Sequence, residues 1–173
     1  MDIFETLSRT PALIERVVKQ VPAALMRVRS GPFALVEHAW HLADLEREGF
    51  GERIRRILTE ENPFLPDFDG ERIATEREYL KLDPAAALAA FAAARAETLR
   101  RLRAIPAGQW DRRGEQEGVG VVSLADLPRR ILDHDFAHLN EIADLLADLV
   151  PSHPLIAELR VIARGGPRSS KAA

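Results

Sequence analysis

The sequence predicts an all-α fold, a four-helix bundle, on three observations. Apolar residues recur at three- and four-residue spacing through four long stretches, alternation of the strand type is almost absent, and helix start and stop signals bracket each stretch. The first helix is expected from Asp2 to Gln20 with Ile3, Leu7, Leu13, Ile14, Val17 and Val18 inward, and Thr10-Pro11 is a point at which it kinks or restarts. Pro22 opens a short further turn. The second helix is expected to follow Ser30-Gly31-Pro32 and to reach about Glu61, where Asn62-Pro63 ends it, its inward face reading Leu35, His38, His41, Leu42, Leu45, Ile54 and Leu58. Asp83 is an N-cap and Pro84 a first-turn proline for the alanine-rich third helix. Ser123 or Asp126 caps the fourth, which ends near Val150-Pro151. Residues 154–163 are apolar enough for a final turn or two, closing a single domain over residues 1–163. The tail, 164–173, has nothing to bury and is expected to be disordered.

Two connections, one between the second and third helices and one between the third and fourth, are long for a simple bundle. A long link lets consecutive helices run parallel, which allows an up-down-down-up order. His41 lies about 12 Å from the start of its helix and His138 about 15 Å from the end of its own, so antiparallel packing brings them to one level.

Composition narrows the function. A net charge of -3 and a pI near 6.0 offer no general attraction to nucleic acid or to an anionic membrane, and the arginines are interleaved with acids, as in GERIRRILTEE. No apolar run approaches the roughly 18 residues that span a bilayer, and MDIFETLSRT lacks signal-peptide order, so a cytoplasmic location is expected. The chain has no cysteine, so any sulfur chemistry requires a thiol cosubstrate.

The histidines carry the chemistry. His134 and His138 are four residues apart on one helical face, so both rings can address one ion, and His41 on a facing helix can complete a set of three with open coordination positions. Neutral imidazoles suit zinc or nickel, with manganese or iron where water fills the remaining positions. Such an ion lowers the pKa of a thiol or a water, and which nucleophile it makes decides transferase against hydrolase. Asp44, three residues beyond His41, and Glu141, three beyond His138, are candidates to orient ligand rings or relay a proton, against an equal case for ordinary helix-surface acidity. His38 is open between fourth ligand, substrate contact and satisfied polar group; His153 is set aside. Asp135 makes an H-D-x-x-H string, but a carboxylate this short and the lack of a downstream third ligand argue against a metalloprotease. Trp40 and Phe136 fit bundle packing better than a substrate wall, Trp110 and EGVGVV are placed where a loop could cover a site mouth, and NPFLPDFDG is placed to border the entrance.

Taken together, EHAWHLADLE, NPFLPDFDGERIATEREYLKLDPAAALAAFAAARAETL and GVGVVSLADLPRRILDHDFAHLNEI resemble the DinB superfamily of metal-dependent enzymes, the group with the YfiT-like proteins, over about residues 2 to 150. The resemblance implies an up-down-down-up four-helix bundle whose metal is held by one histidine of the second helix and two of the fourth, here His41, His134 and His138. Members with assigned activities are thiol-dependent: bacillithiol and glutathione S-transferases and a mycothiol-dependent maleylpyruvate isomerase. The expectation is therefore a metal-dependent enzyme acting on a small molecule, most specifically a thiol-dependent S-transferase with a low-molecular-weight thiol as cosubstrate. The alternatives are a metal-dependent hydrolase that activates water and a non-catalytic metal- or ligand-binding bundle. Family habit and the small residues of 84–96 add the expectation of a homodimer.

Overall fold

The computed structural model describes residues 2–164. The first helix, α1 (Ile3–Gln20), is capped by the Asp2 carboxylate, which accepts from the Phe4 amide at 3.2 Å. It runs unbroken through Pro11, and the reason lies in another helix. Proline removes the amide that should bond the Leu7 carbonyl, and the buried Arg95 donates Nη1 to that oxygen at 2.9 Å instead. The turn after Pro22 is a 3-10 segment, Ala23–Leu25.

The long second helix is a rod of three parts rather than the uninterrupted α-helix expected to Glu61. These are α2 (Leu35–Asp44), a π-helical segment (Leu45–Phe50) and α3 (Gly51–Thr59). The Gly51 amide donates to the Glu46 carbonyl five residues back, and a Cβ at Gly51 would stand 2.9 Å from that oxygen, so glycine suits the wide turn. The π segment winds in one extra residue. Along an ideal α-helix, residues 41 and 53 would be about 120° apart around the axis; one residue fewer in effective phase leaves about 20°. Arg53 therefore faces the same side as His41, and Ile57 takes the fully buried position expected of Leu58, which is only half-buried.

Downstream come α4 (Gly70–Glu76), α5 (Pro84–Arg103), α6 (Leu127–Leu149) and α7 (Leu155–Arg164). Asp83 caps α5 as expected, accepting from the amides of Ala85 at 3.1 Å and Ala86 at 3.2 Å. Ser123 and Asp126 act together at the entry to α6: the Asp126 carboxylate accepts from the Ser123 amide at 2.8 Å and from its hydroxyl at 2.7 Å. The segment after Pro154 is a full ten-residue helix packed along α6, longer than the turn or two expected, and His153 accepts from the Leu155 amide at its start. Arg164 ends α7; the rest of the expected disordered tail lies outside the described residues.

The fold is mostly helical, with one departure from an all-α expectation. The two long connections meet in a three-stranded sheet in the order β1 (Phe64–Leu65), β2 (Arg113–Gln116), β3 (Gly120–Ser123). Phe64 pairs with Glu115 in parallel, and Arg113 with Ser123 antiparallel. Gly118 and Gly120, with φ of +70° and +94°, turn the hairpin, so EGVGVV is the turn at 117–119 followed by the start of β3. Arg112 ties this sheet to the end of α3, donating to the carbonyls of Ile57 and Glu60, each at 2.7 Å.

Helix α1 packs on α5 and α6, and α2 packs on the same two. Leu7, Ile14 and Val17 of α1, Leu102 of α5, and Ile131 and Ile142 of α6 are among the buried core side chains. Across this core runs a buried ion triad. Arg95 of α5 donates Nη1 and Nη2 to the two oxygens of Asp135 on α6, at 2.7 and 2.8 Å, and Nη2 also to Glu46 of the π segment at 3.0 Å. Burial pulls the Arg95 pKa down, but the two carboxylates outweigh it and the net shift is upward. Among the described residues no helix is long and apolar enough to cross a membrane.

Candidate metal centre

Helix α6 offers His134 and His138 on successive turns, and α2 faces them with His41. The Nε2 atoms of His41 and His134 are 3.2 Å apart, and those of His138 and His134 are 3.1 Å apart. Two nitrogens each about 2.1 Å from a zinc-sized ion, at angles of about 95–110°, stand about 3.1–3.4 Å from one another. Both pairs therefore already have the spacing of neighbouring ligands on one ion, and the ligand atoms of all three rings lie within 4.8 Å of one another.

Their charge state fits as well. His41 and His138 are buried and His134 is half-buried at a cleft edge. Burial is the leading cause that holds His41 down to about 4 and His134 and His138 well below 6.5, with neighbouring rings adding to the effect for the last two and Asp44 partly opposing it for His41. Neutral imidazoles are the form that binds a metal. The desolvation has visible sources: the Phe33 ring centroid is 5.2 Å from that of His41 and 6.3 Å from that of His138, Phe68 is 5.9 Å from His41, and Phe50 is 5.9 Å from His134.

Behind His138 lies a second group. Its Nδ1 is 2.9 Å from Nδ1 of His38 and 3.3 Å from Oε2 of Glu141. With Nε2 turned to an ion, the His138 ring carries its proton on Nδ1 and donates it; His38 then accepts on Nδ1 and carries its own proton on Nε2. His38, His138 and Glu141 are also close enough to share an ion, but a ring that already ligates through Nε2 keeps the proton on Nδ1, so this group backs the first. His38, fully buried, is thus placed as a polar support. Glu141, partly exposed, stands beside the same nitrogen without a hydrogen bond to it, and burial followed by Asp144 raises its pKa.

Asp44 is bonded elsewhere. Its carboxylate accepts from the Tyr79 hydroxyl at 2.5 Å, from Arg47 at 2.9 Å and from Arg77, and none of its hydrogen bonds goes to His41. Nδ1 of His41 has no hydrogen-bond partner among the described residues; what lies against that side of the ring is the backbone of Gly70. Asp135 is likewise occupied, by Arg95, and is not available as a base. Trp40 stacks on Tyr79 with centroids 6.3 Å apart, Phe136 is a core residue and Trp110 packs against the core, so none of the three is in the cleft wall.

His41 and His134 open on a cleft of about 360 Å³ that also takes in Arg53, Asp67, Phe68 and Gln116. Asp67 and Phe68 come from NPFLPDFDG, which borders the entrance as its position implied, and Gln116 comes from β2. A larger groove of about 660 Å³ lies between α1 and α5, but none of the histidines lines it. Sequence reading placed the segment of Phe68 and Gly70 at the entrance without singling out either residue and missed Phe33, Phe50, Arg53 and Gln116; only the G-F-G interruption at 49–51 hinted at the π turn that delivers Phe50 and Arg53.

The family model of the DinB superfamily matches residues 6–142. The chain belongs to the DinB superfamily. Among solved structures it is similar to YfiT from Bacillus subtilis, described as a probable metal-dependent hydrolase with an unusual four-helix bundle topology, at a TM-score of 0.76 and 20% identity, covering 85% of each chain. No curated protein matches the sequence. The bundle is therefore the superfamily's, and the histidines occupy the part of the chain that the family model matches.

Proposed function

We propose that this DinB-superfamily protein is a metal-dependent hydrolase of a small molecule, with His41, His134 and His138 holding one divalent ion. The observation that carries the reading is the convergence of three neutral Nε2 atoms at the edge of a cleft. An ion held by an all-nitrogen set, zinc or nickel before manganese or iron, supplies Lewis acidity and lowers the pKa of a water that reaches it. The chain supplies the rest. Phe33, Phe50 and Phe68 exclude bulk water, His38 holds the His138 ring by its Nδ1–H with the Glu141 carboxylate beside it, and Gly70 keeps the His41 ring in place. Glu141 lies on the far side of His138 from Nε2, which fits an orienting role better than a proton relay.

The likeness to YfiT supports hydrolysis over thiol transfer, the reading favoured on family resemblance alone. We also propose the up-down-down-up order for α1, the α2–α3 rod, α5 and α6. In support, the rod and α5 both lead into the sheet and α6 leads out of it, so the first two point the same way and α6 returns.

Elemental analysis of protein prepared without a histidine tag, joined to assays of model esters and amides with and without a thiol, tests the function. About one divalent ion per chain and turnover without thiol are expected. In His138→Ala, metal affinity should fall at least about 100-fold and turnover should vanish while circular dichroism stays helical. Turnover only with thiol makes the enzyme a transferase; loss of helix on metal removal makes the ion structural.

A further inference from the structure

The cleft beside the histidines contains a buried cation without a matching anion. The Arg53 side chain is only 8% exposed. Its Nη2 donates to the Pro66 carbonyl at a long 3.4 Å, the carboxylate of Asp67 is 3.8 Å away and 65% exposed, and its Nε has no partner among the described residues. A guanidinium has five N–H groups, and here the Nε–H is dry and unmatched while the only bond of the fork is a long one, an arrangement that costs free energy a native protein rarely spends without use. Burial lowers the Arg53 pKa, Asp67 opposes that, and Arg130 adds to it. Arg130, half-buried, lines the same cleft and makes no hydrogen bond or ion pair among the described residues. The other acid in the wall, Asp133, is ion-paired with Arg129, whose Nε is 2.9 Å from its Oδ1, although that oxygen accepts no hydrogen bond among the described residues. Two arginines thus face a cleft whose acids are either solvated or taken. Gln116, buried at the same wall, adds an amide.

We propose that Arg53 anchors an anion subsite: the substrate carries a carboxylate or phosphate oxyanion that the Arg53 fork receives, with Arg130 beside it, while the rest of the molecule extends over His41 and His134. The π segment is what makes this possible, since it turns Arg53 onto the histidine side of the rod. A cleft of about 360 Å³ suits a small organic anion. A fork that binds two oxygens at once also explains why an arginine, and not a lysine, occupies this place. Substrate class at the histidines rests on the hydrolase reading above; anion binding by Arg53 does not.

The test follows arginine Nε–H signals of ¹⁵N-labelled protein during titration with sodium phosphate or sodium acetate, in metal-free and zinc-loaded forms. The Arg53 signal, identified by its loss in Arg53→Met, is expected to shift saturably, and the anion Kd to rise at least about tenfold in Arg53→Met. Arg53→Lys, which keeps the charge and loses the fork, should fall between the two; should Arg53→Met not fold, this variant and the wild-type titration decide. Preference for phosphate or for acetate tells which oxyanion the subsite serves. No saturable shift with either anion, or equal affinity in the variants, overturns the proposal. Anion binding through Arg53 without hydrolysis of any ester sinks the hydrolase reading alone, whereas equal turnover of neutral and anionic esters by wild type and Arg53→Lys sinks the anion subsite alone.

Discussion

Two buried polar clusters meet at consecutive residues of α6, and they are opposites. At Asp135, charges are matched: Arg95 meets two carboxylates and a carbonyl, and its strongest bonds are bidentate. At His134, one position earlier, nothing is charged, and three nitrogens of the same kind face one another. In the first cluster each charge meets its counter-charge within the cluster, with Arg95 Nε 3.0 Å from Glu46 Oε1. The second is finished only by a cation. Burial alone therefore does not distinguish a structural polar group from a functional one; the sign and direction of what faces it do. Arg53 extends the comparison, since it has the burial of Arg95 without its partners.

Breaking the closed cluster should have the largest effect. Arg95→Met leaves Asp135 and Glu46 buried without a counter-charge and returns the Leu7 carbonyl, already deprived of its amide by Pro11, to an unmatched state. Removing one partner of a buried ion pair costs about 3–5 kcal/mol, which for a domain of this size lowers Tm by roughly 10 °C or more. Urea unfolding measures it. A loss below about 1 kcal/mol would mean that the carboxylates find water or protons easily and that the triad is not the closed unit described.

Acid should act on the open cluster, more gradually. Burial, first among the causes, holds His41 to about 4 and His38 to about 3 against an ordinary 6.5, with His134 and His138 lowered too. A base whose pKa falls on folding binds fewer protons folded than unfolded between its two values, so its contribution is present above about 6.5 and is lost as pH falls toward 4. The denaturation midpoint of metal-free protein should decline steadily through that window. A flat profile from pH 6.5 to 4.5 would place the rings in water rather than in the dry setting formed by Phe33, Phe50 and Phe68.

How far each cluster can be read from sequence follows from the range of the interactions that build it. The i, i+4 pair and the single histidine on a facing helix were visible because they depend on helical periodicity, and the Asp83 cap because it depends on local sequence. Proximity in sequence pointed Asp44 at His41, whereas its hydrogen bonds go to Arg47 close by and to Tyr79 and Arg77 from a distant stretch. Arg53 was hidden by one extra residue in a π turn, which changes the facing side of everything after it without altering the apolar pattern enough to show. The sheet escaped because strands of two and four residues, such as FL and RGEQ, are too short to display alternation.

Gly70 gives the smallest and most discriminating test. It is the first residue of α4, and an added Cβ would come within 2.5 Å of Nδ1 of His41, so Gly70→Ala must turn the ring or displace the helix start. Gly70 does not have a positive φ, so alanine there should by itself stabilise the chain by about 0.4–1 kcal/mol through loss of unfolded-state freedom. Stability and metal affinity are then expected to respond differently: little change or a slight gain in urea midpoint for the metal-free protein, against a roughly tenfold loss of zinc affinity, worth about 1.4 kcal/mol. Chelator competition reads the second quantity. Unchanged zinc affinity would show that the ion does not depend on the seated His41 ring, and the open cluster would then have to be redrawn around His134 and His138 without α2.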